Sequence, residues 1–420
     1  TILIAGYPLW YPFDHLDMLN NAQQAGYHLI ETAIFTTPRE LPDLTPENAK
    51  DFIYRGLPLI DMAAYEICTL LELGHPFDID PDDPEHWDVI ESSLKRMAGL
   101  IDYYHLHFDF YKPSLVTYPQ GYVPAAIAMR VVAMLHNTPT LVIEHICDRD
   151  RLMCETKTGV SVNYNSVAET FKEKLDTIDQ AEADNFWEHF YDSIKTRKHA
   201  EHQSPTQELV IQKERPDQKI MTFLGQVGTD SSVLFGSIYF HSQAGLIIEA
   251  AKQILDAGHY VVVKLHPKES TKAGRPIDNK PYNKLTYRKL QEHPDFAELS
   301  KNPRLIIDSD NLYDSYSTIL VADACMTINS QIGLEAACMG KPVIVCGKCT
   351  YGESGFTNDV HNETELKEAL QKVLSSTLQT DPARARKFFY SYTHYSAIEK
   401  ELDNFIHLML DMASQESLAA

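Results

Sequence analysis

The chain is short of positive charge: 37 Lys and Arg stand against 59 Asp and Glu in 420 residues, a net −22 with His neutral. A field of that sign repels nucleic acid and anionic lipid headgroups, so no nucleic-acid partner is expected. Long hydrophobic runs are also missing. Nothing approaches the roughly 20 apolar residues of a spanning helix, and no charged leader precedes a signal-type core. A cytoplasmic protein is expected. Since the first residue is Thr1 rather than Met, a processed or excised chain is expected too, one module of a larger protein. Seven scattered cysteines (Cys68, Cys147, Cys154, Cys325, Cys338, Cys346 and Cys349) suit a reducing compartment and make no disulfide framework. Cys346-Gly-Lys-Cys349 has metal or redox spacing, but no second pair accompanies it at zinc-finger distance, so structural thiols are expected. Internal repeats and low-complexity tracts are absent as well.

What is present is strand and helix alternation in two halves. A chain of 420 residues exceeds what one hydrophobic core usually supports, so two domains are expected. In the first half, strand-like runs fall near 1–5, 28–36, 115–118 and 140–145. The clearest helical pattern, 124–136, is ended by Asn137-Thr-Pro139. An amphipathic, charged stretch from Asn163 to about His202 leads into a polar segment. The organisation expected is an N-terminal domain over 1–205, a linker over 206–218, a second domain over 219–380 and C-terminal helices over 381–420. The second domain restarts with a strand in 219–227, then a helix over 242–257 and strands at 260–265, 304–308, 324–328 and 342–346. Such repetition predicts an α/β class with two Rossmann-like domains, built of parallel βαβ units with right-handed crossovers. The polar run 269–283 reads as a long loop.

Two segments of the second half carry most of the chemical signal. Val-Val-Val-Lys-Leu-His-Pro, ending at Pro267, reads as a strand stopped by a residue that cannot donate to a sheet ladder, which leaves His266 at its carboxyl end. Thr-Ile-Asn-Ser-Gln-Ile-Gly-Leu-Glu-Ala, starting at Thr327, reads as a strand turning into a helix whose free N–H groups and Ser330 hydroxyl can meet a phosphate. In open parallel sheets ligands bind outside the carboxyl ends of the strands. Lys264, His266, Lys268 and Lys272 supply a basic island in an otherwise acidic chain. Candidate nucleotide and phosphate contacts are therefore Gln226, Lys264, His266, Asn329, Ser330 and Gln331, with Glu335 one turn into the helix for ribose hydroxyls. Asn311, Leu312 and Tyr313 follow Asp308-Ser-Asp310 and are candidates for the base; the acidic pair itself reads as structural or as lying near the nucleotide. Each residue also has a plainer reading, as a helix cap or a solvated side chain, and Asp230 is equally a capping residue for whatever begins at Ser231. On the first half, Gln120 and Glu144 at strand ends and Tyr7 after the first strand are candidates for a second ligand.

The segments 261–267 and 323–355, together with Leu224-Gly-Gln-Val-Gly-Thr-Asp-Ser-Ser232, resemble the bacterial retaining β-Kdo transferases of capsule and O-antigen type. These are GT-B-like enzymes with a His-Pro motif that use CMP-Kdo. The resemblance covers about 224–357. Gly228-Thr229 and Gly352-Glu-Ser-Gly355 depart from the family pattern, which bears on the acceptor. The resemblance implies Asp230 as a carboxylate nucleophile in a two-inversion mechanism and His266 as a donor to the departing CMP phosphate. It implies CMP-Kdo as donor substrate with no separate cofactor and no metal. The acceptor it implies is a glycan, expected to be lipid-linked, which would bring the protein to the inner face of the cytoplasmic membrane as a peripheral partner. Other readings stay open on the sequence: a CMP-sialic-acid-dependent sialyltransferase, a UDP-sugar 2-epimerase, or a non-catalytic glycan or nucleotide-sugar-binding module.

Overall fold

The structure, a computed structural model, describes residues 1–5, 15–33, 36–200, 205–272, 274, 275 and 277–415. The chain divides into two compact units, Thr1–Ser166 with Thr393–Ala420, and Val167–Tyr392. In the first unit, strands β1 (Ile2–Ala5), β2 (Leu29–Thr32), β3 (Leu115–Pro119) and β4 (Thr140–His145) pair in parallel. Every residue of Leu115–Pro119 is buried, Thr117 included, which is why this strand shows no alternation of apolar and polar positions. The helix Pro124–Leu135 follows β3, with proline in its first turn, where the missing N–H costs nothing. The bend before it needs Gly121, at φ +96°, because a Cβ there would sit 2.7 Å from the Gly159 carbonyl.

Two further strands of this sheet have no counterpart among the expected ones. β5 (Arg151–Glu155) runs antiparallel to β4. It carries an arginine at one end and a glutamate at the other, so no apolar run announces it. The second lies in the C-terminal segment.

The second unit is an all-parallel sheet of β6 (Ile220–Leu224), β7 (Tyr260–Lys264), β8 (Leu305–Asp308), β9 (Ala324–Thr327), β10 (Val343–Val345) and β11 (Asn358–Asp359). Its spatial order is β8-β7-β6-β9-β10-β11. Counted within the unit this is 3-2-1-4-5-6, the order of dinucleotide-binding folds, whose switch point lies between the first and fourth strands, here β6 and β9. Phe223, Val263, Met326 and Ile344 are buried against the helix Gln243–Asp256 and its neighbours. Each such side chain contributes roughly 1.5–3 kcal/mol when fully buried. Two doubly wound units in one chain is the GT-B-like plan that the strand and helix alternation predicts.

β12 (Ala397–Glu399) then adds antiparallel to β5, and the helix Leu402–Gln415 packs Phe405 and Met409 against Ile2, Leu115 and Leu141 of the first unit. The C-terminal segment 381–420 is therefore not one helical appendage: Pro382–Tyr395 lies largely in the second unit, and the chain from Thr393 onward belongs to the first. The other divide falls at Ser166/Val167, upstream of the polar segment 206–218. Aromatic packing accounts for that. Phe171 meets Phe388 at 5.0 Å between ring centroids, and Phe190 meets Phe389 at 4.6 Å, so the charged helices after 166 are anchored in the second unit. The polar segment is itself held there, with Leu209 buried and its N–H donated to Ser317 Oγ at 2.9 Å.

Candidate functional site

The candidate residues of the second unit gather at the carboxyl ends of β6, β7, β8 and β9. The loop after β6 begins with Gly225, whose N–H bonds the Lys264 carbonyl at 2.9 Å. A Cβ at Gly225 would lie 3.0 Å from that same oxygen, a tight contact, so the missing side chain eases the side-by-side exit of the β6 and β7 loops. Gln226 is next, and it is buried. Its N–H donates to Gln243 Oε1 at 2.8 Å and its Nε2 to Ser232 Oγ at 2.9 Å, while its Oε1 accepts the Asn329 N–H at 3.2 Å. Gln226 thus stitches the loop after β6 to the loop after β9 across the switch point. This corrects its reading as a phosphate contact, because both ends of its amide are committed to the protein.

Asp230 caps the short helix Ser231–Gly236, its Oδ1 accepting from Ser232 N at 2.9 Å and Ser232 Oγ at 2.7 Å. The residue is exposed, and Oδ2 takes no hydrogen bond from a described residue. The capping reading and an available carboxylate therefore coexist. Tyr282 lies within electrostatic reach; burial, reinforced by the Asp230 and Glu269 charges, pushes its phenol up to about 12.

His266 is half-buried and caps the turn Pro267–Ser270, with Nδ1 accepting the Lys268 N–H at 3.1 Å. That bond assigns the proton of the neutral ring to Nε2, which makes Nε2 a donor. Asn329 is buried; its Nδ2 bonds the carbonyls of Ser232 at 2.5 Å and Lys348 at 3.0 Å, tying the Asp230 helix to the turn that follows β10. Ser330 occupies the N-cap of the helix Gln331–Cys338 but makes no side-chain cap bond; the Gly333 N–H goes to the Ser330 carbonyl at 2.9 Å, and the N–H groups of Gln331 and Ile332 stay uncapped among the described residues. Nε2 of Gln331 is buried without a hydrogen-bond partner among the described residues. A helix N-terminus with open donors, a serine hydroxyl that makes no cap bond and an unsatisfied amide is suited to an anion.

Four other candidates are placed differently. Lys264 is buried, and its Nζ bonds Asp308 Oδ2 at 2.6 Å and Asn311 Oδ1 at 2.6 Å. Lys264 and Asp308 are register partners on β7 and β8. Asp308 also accepts the N–H groups of Leu312 at 2.7 Å and Tyr313 at 3.1 Å. The ammonium holds a turn together and does not serve a phosphate; burial pulls it below the usual lysine range, and Asp308 opposes that shift. Asn311 belongs to the same knot, at φ +54°, whereas Leu312 is exposed. Glu335 is buried, with Oε2 accepting the Tyr316 hydroxyl at 2.7 Å, so it faces a neighbouring helix rather than a ribose. Lys264→Met should lower the unfolding free energy by about 3–5 kcal/mol, since it leaves Asp308 buried and unpaired. Urea unfolding reads this directly, and Lys264→Met with Asp308→Leu should recover part of the loss.

In the first unit Gln120 and Glu144 meet at one residue. Ser161 donates its N–H to the Gln120 carbonyl at 3.0 Å and its hydroxyl to Glu144 Oε2 at 3.3 Å. Tyr7 lies outside the described residues. Two buried carboxylates carry no signal that the sequence motifs reveal. Glu155 gathers the N–H groups of Lys157 at 2.6 Å, Thr158 at 3.1 Å and Ser166 at 2.6 Å, which folds the loop around Ser161. Glu269 accepts from Gly228 N at 3.1 Å, Thr286 N at 2.8 Å and Thr286 Oγ1 at 2.7 Å. Burial raises Glu269 above the usual carboxylate range, and the bonds from Thr286 and Gly228 pull it back. Its one hint in the sequence is its position three residues after His266. Among the described residues no group of three or more His, Cys, Asp and Glu is arranged to hold a metal ion, and no helix is long and apolar enough to cross a membrane. Cys346 and Cys349 are buried, and burial pushes both thiols far above their usual range, which leaves them without thiolate chemistry.

A sequence model of the family described as capsule polysaccharide biosynthesis protein matches residues 164–391. No curated protein matches the chain. Among solved structures, KpsC of Thermosulfurimonas dismutans, beta Kdo 2,7 transferase, aligns at 17% identity over 74% of this chain and 89% of that one, with a TM-score of 0.41. The same organism's KpsC, beta Kdo 2,4 transferase, aligns at 16% identity over 66% of this chain and 78% of that one, with a TM-score of 0.41. A UDP-GlcNAc 2-epimerase from Methanocaldococcus jannaschii aligns at 12% identity over 94% of this chain and 99% of that one, with a TM-score of 0.33.

Proposed function

The chain belongs to the family of capsule polysaccharide biosynthesis proteins, and we propose that it is a retaining glycosyltransferase that moves Kdo from CMP-Kdo to a glycan acceptor. The observation that carries this reading is the pairing, at the β6/β9 switch point, of an exposed carboxylate on Asp230 with the open helix N-terminus at Ser330. The two are linked through Asn329 Nδ2 and the Ser232 carbonyl at 2.5 Å. The motif resemblance in 224–357 supplies the sugar.

In the proposed reaction Asp230 attacks the anomeric carbon of Kdo, and the bond to the CMP phosphate breaks with its electron pair going to the phosphate oxygen. That oxygen gains charge. The Ser330 hydroxyl, the N–H groups of Gln331 and Ile332 and His266 Nε2–H are assigned to donate to it, which favours departure of a monophosphate. An acceptor hydroxyl then attacks the same carbon, loses its proton to a base and releases Asp230; two inversions give net retention. Gln120 and Glu144 are the first unit's candidates for the acceptor. A lipid-linked glycan would place the protein at the inner face of the cytoplasmic membrane.

Separate incubations with CMP-Kdo, CMP-sialic acid and UDP-GlcNAc, each with a panel of glycan acceptors, test the reading. CMP release with Kdo appearing on a glycan is expected from the first alone. Sialyl transfer, or epimerisation of UDP-GlcNAc without an acceptor, would assign the protein to another chemistry, and no turnover with any donor would leave a binding module.

A further inference from the structure

We infer that Glu269 is a positioning residue that holds the Asp230 loop and the His266 turn in fixed relation; this rests on the roles proposed for those two residues. Its side chain accepts from Gly228 N, two residues before Asp230, at 3.1 Å. Its own N–H donates to the His266 carbonyl at 3.0 Å, and its carbonyl accepts the Lys284 N–H at 2.8 Å. One residue therefore grips three segments: the loop after β6, the turn after β7, and the start of the helix Leu285–Glu292.

The surroundings require an acceptor with no proton of its own. Gln243 Nε2 donates both to the Gln226 carbonyl at 2.8 Å and to Thr286 Oγ1 at 3.1 Å. Gln243 takes one lone pair of the Thr286 hydroxyl, whose proton is donated to Glu269 Oε1, 2.7 Å away. Thr286 N and Gly228 N point theirs at the same carboxylate. Three donors converge, and only a carboxylate accepts all of them. A glutamine in that place turns an NH2 group toward at least one N–H or O–H whichever way its amide is flipped. Such a mismatch is relieved only by moving a segment. The segments on either side of it bear Asp230 and His266, and a displacement on the order of 1 Å at reacting groups lowers turnover by about 10²-fold.

The test compares Glu269→Gln, Glu269→Asp and Thr286→Val with the parent. The readouts are kcat and KM for CMP-Kdo, affinity for CMP, and amide hydrogen exchange over 225–236 and 266–270. Glu269→Gln should lower kcat by about 10²-fold while KM and CMP affinity stay within about threefold. Glu269→Asp, which keeps two acceptor oxygens, should restore part of kcat. Thr286→Val should fall between them. Exchange should quicken in both segments of Glu269→Gln and remain as in the parent elsewhere. Unchanged exchange in 225–236, or a kcat loss that only tracks the fraction unfolded with Glu269→Asp no better than Glu269→Gln, would overturn the inference. A parent inactive on CMP-Kdo defeats the functional proposal instead, and the exchange measurement still decides whether Glu269 holds both segments.

Discussion

Asp230→Asn should bind CMP as the parent does and lose transfer by about 10³-fold or more, because an amide keeps the shape of the carboxylate but is a far poorer nucleophile. The fold makes this substitution unusually clean to interpret. Asp230 accepts two bonds from Ser232 through Oδ1 alone. Asparagine retains that oxygen and is an equally good helix cap, so the helix Ser231–Gly236 should stay formed and stability should change by roughly a few tenths of a kcal/mol. Loss of turnover would then report chemistry. Asp230→Ala removes the cap as well and should cost about 1 kcal/mol of stability on top of the same catalytic loss. Thermal unfolding and CMP titration, run beside the transfer assay, separate the two effects. An Asp230→Asn protein with full activity would remove residue 230 from the reaction.

His266→Ala should lower turnover by about 10²-fold through loss of one donor to the departing phosphate. Alanine also strips the acceptor that Lys268 N uses at 3.1 Å, so a loosened turn is a second route to the same loss. His266→Asn separates these causes, since an Asx side chain can cap the same turn yet offers no imidazole. Both substitutions should be impaired alike if the ring's Nε2–H is what matters, and only His266→Ala should suffer if the cap is. Ser330→Ala should show a smaller loss in the same direction, because its hydroxyl makes no cap bond and the helix N–H groups remain in place.

Much of the second unit is legible in the sequence because its strands are buried on both faces. Tyr260–Lys264 is entirely buried, and its valines form an unbroken run that needs no knowledge of its neighbours. Asn329 and Ser330 are legible by the same logic, at the point where a strand becomes a helix. The features that stay hidden depend on register and partners. Lys264 ends a strand beside a histidine, which in sequence suggests a residue facing a ligand. Nothing in a single sequence says that Asp308 will stand opposite it. Gln226 and Glu335 mislead for the same reason, as polar side chains near a site that the fold spends on holding its own loops together. Glu269 sits inside a polar run that reads as loop. The divide between the units falls earlier than the polar segment suggests, because the charged helices after 166 show their polar faces in composition while Phe171, Trp187 and Phe190 decide where they pack. β5 and β12 are short elements at one end of their sheet, and such strands leave little hydrophobic signature.

The claim on which the account turns is that a carboxylate at residue 230 becomes covalently bonded to the transferred sugar. Rapid-quench mass measurement of the protein mixed with CMP-Kdo in the absence of acceptor tests it most directly. The account predicts release of CMP with a transient gain of one Kdo mass, mapping to the peptide that contains Asp230 and missing from Asp230→Asn. An adduct on a different carboxylate, or Kdo transfer in Asp230→Asn at the parent's rate, would contradict it.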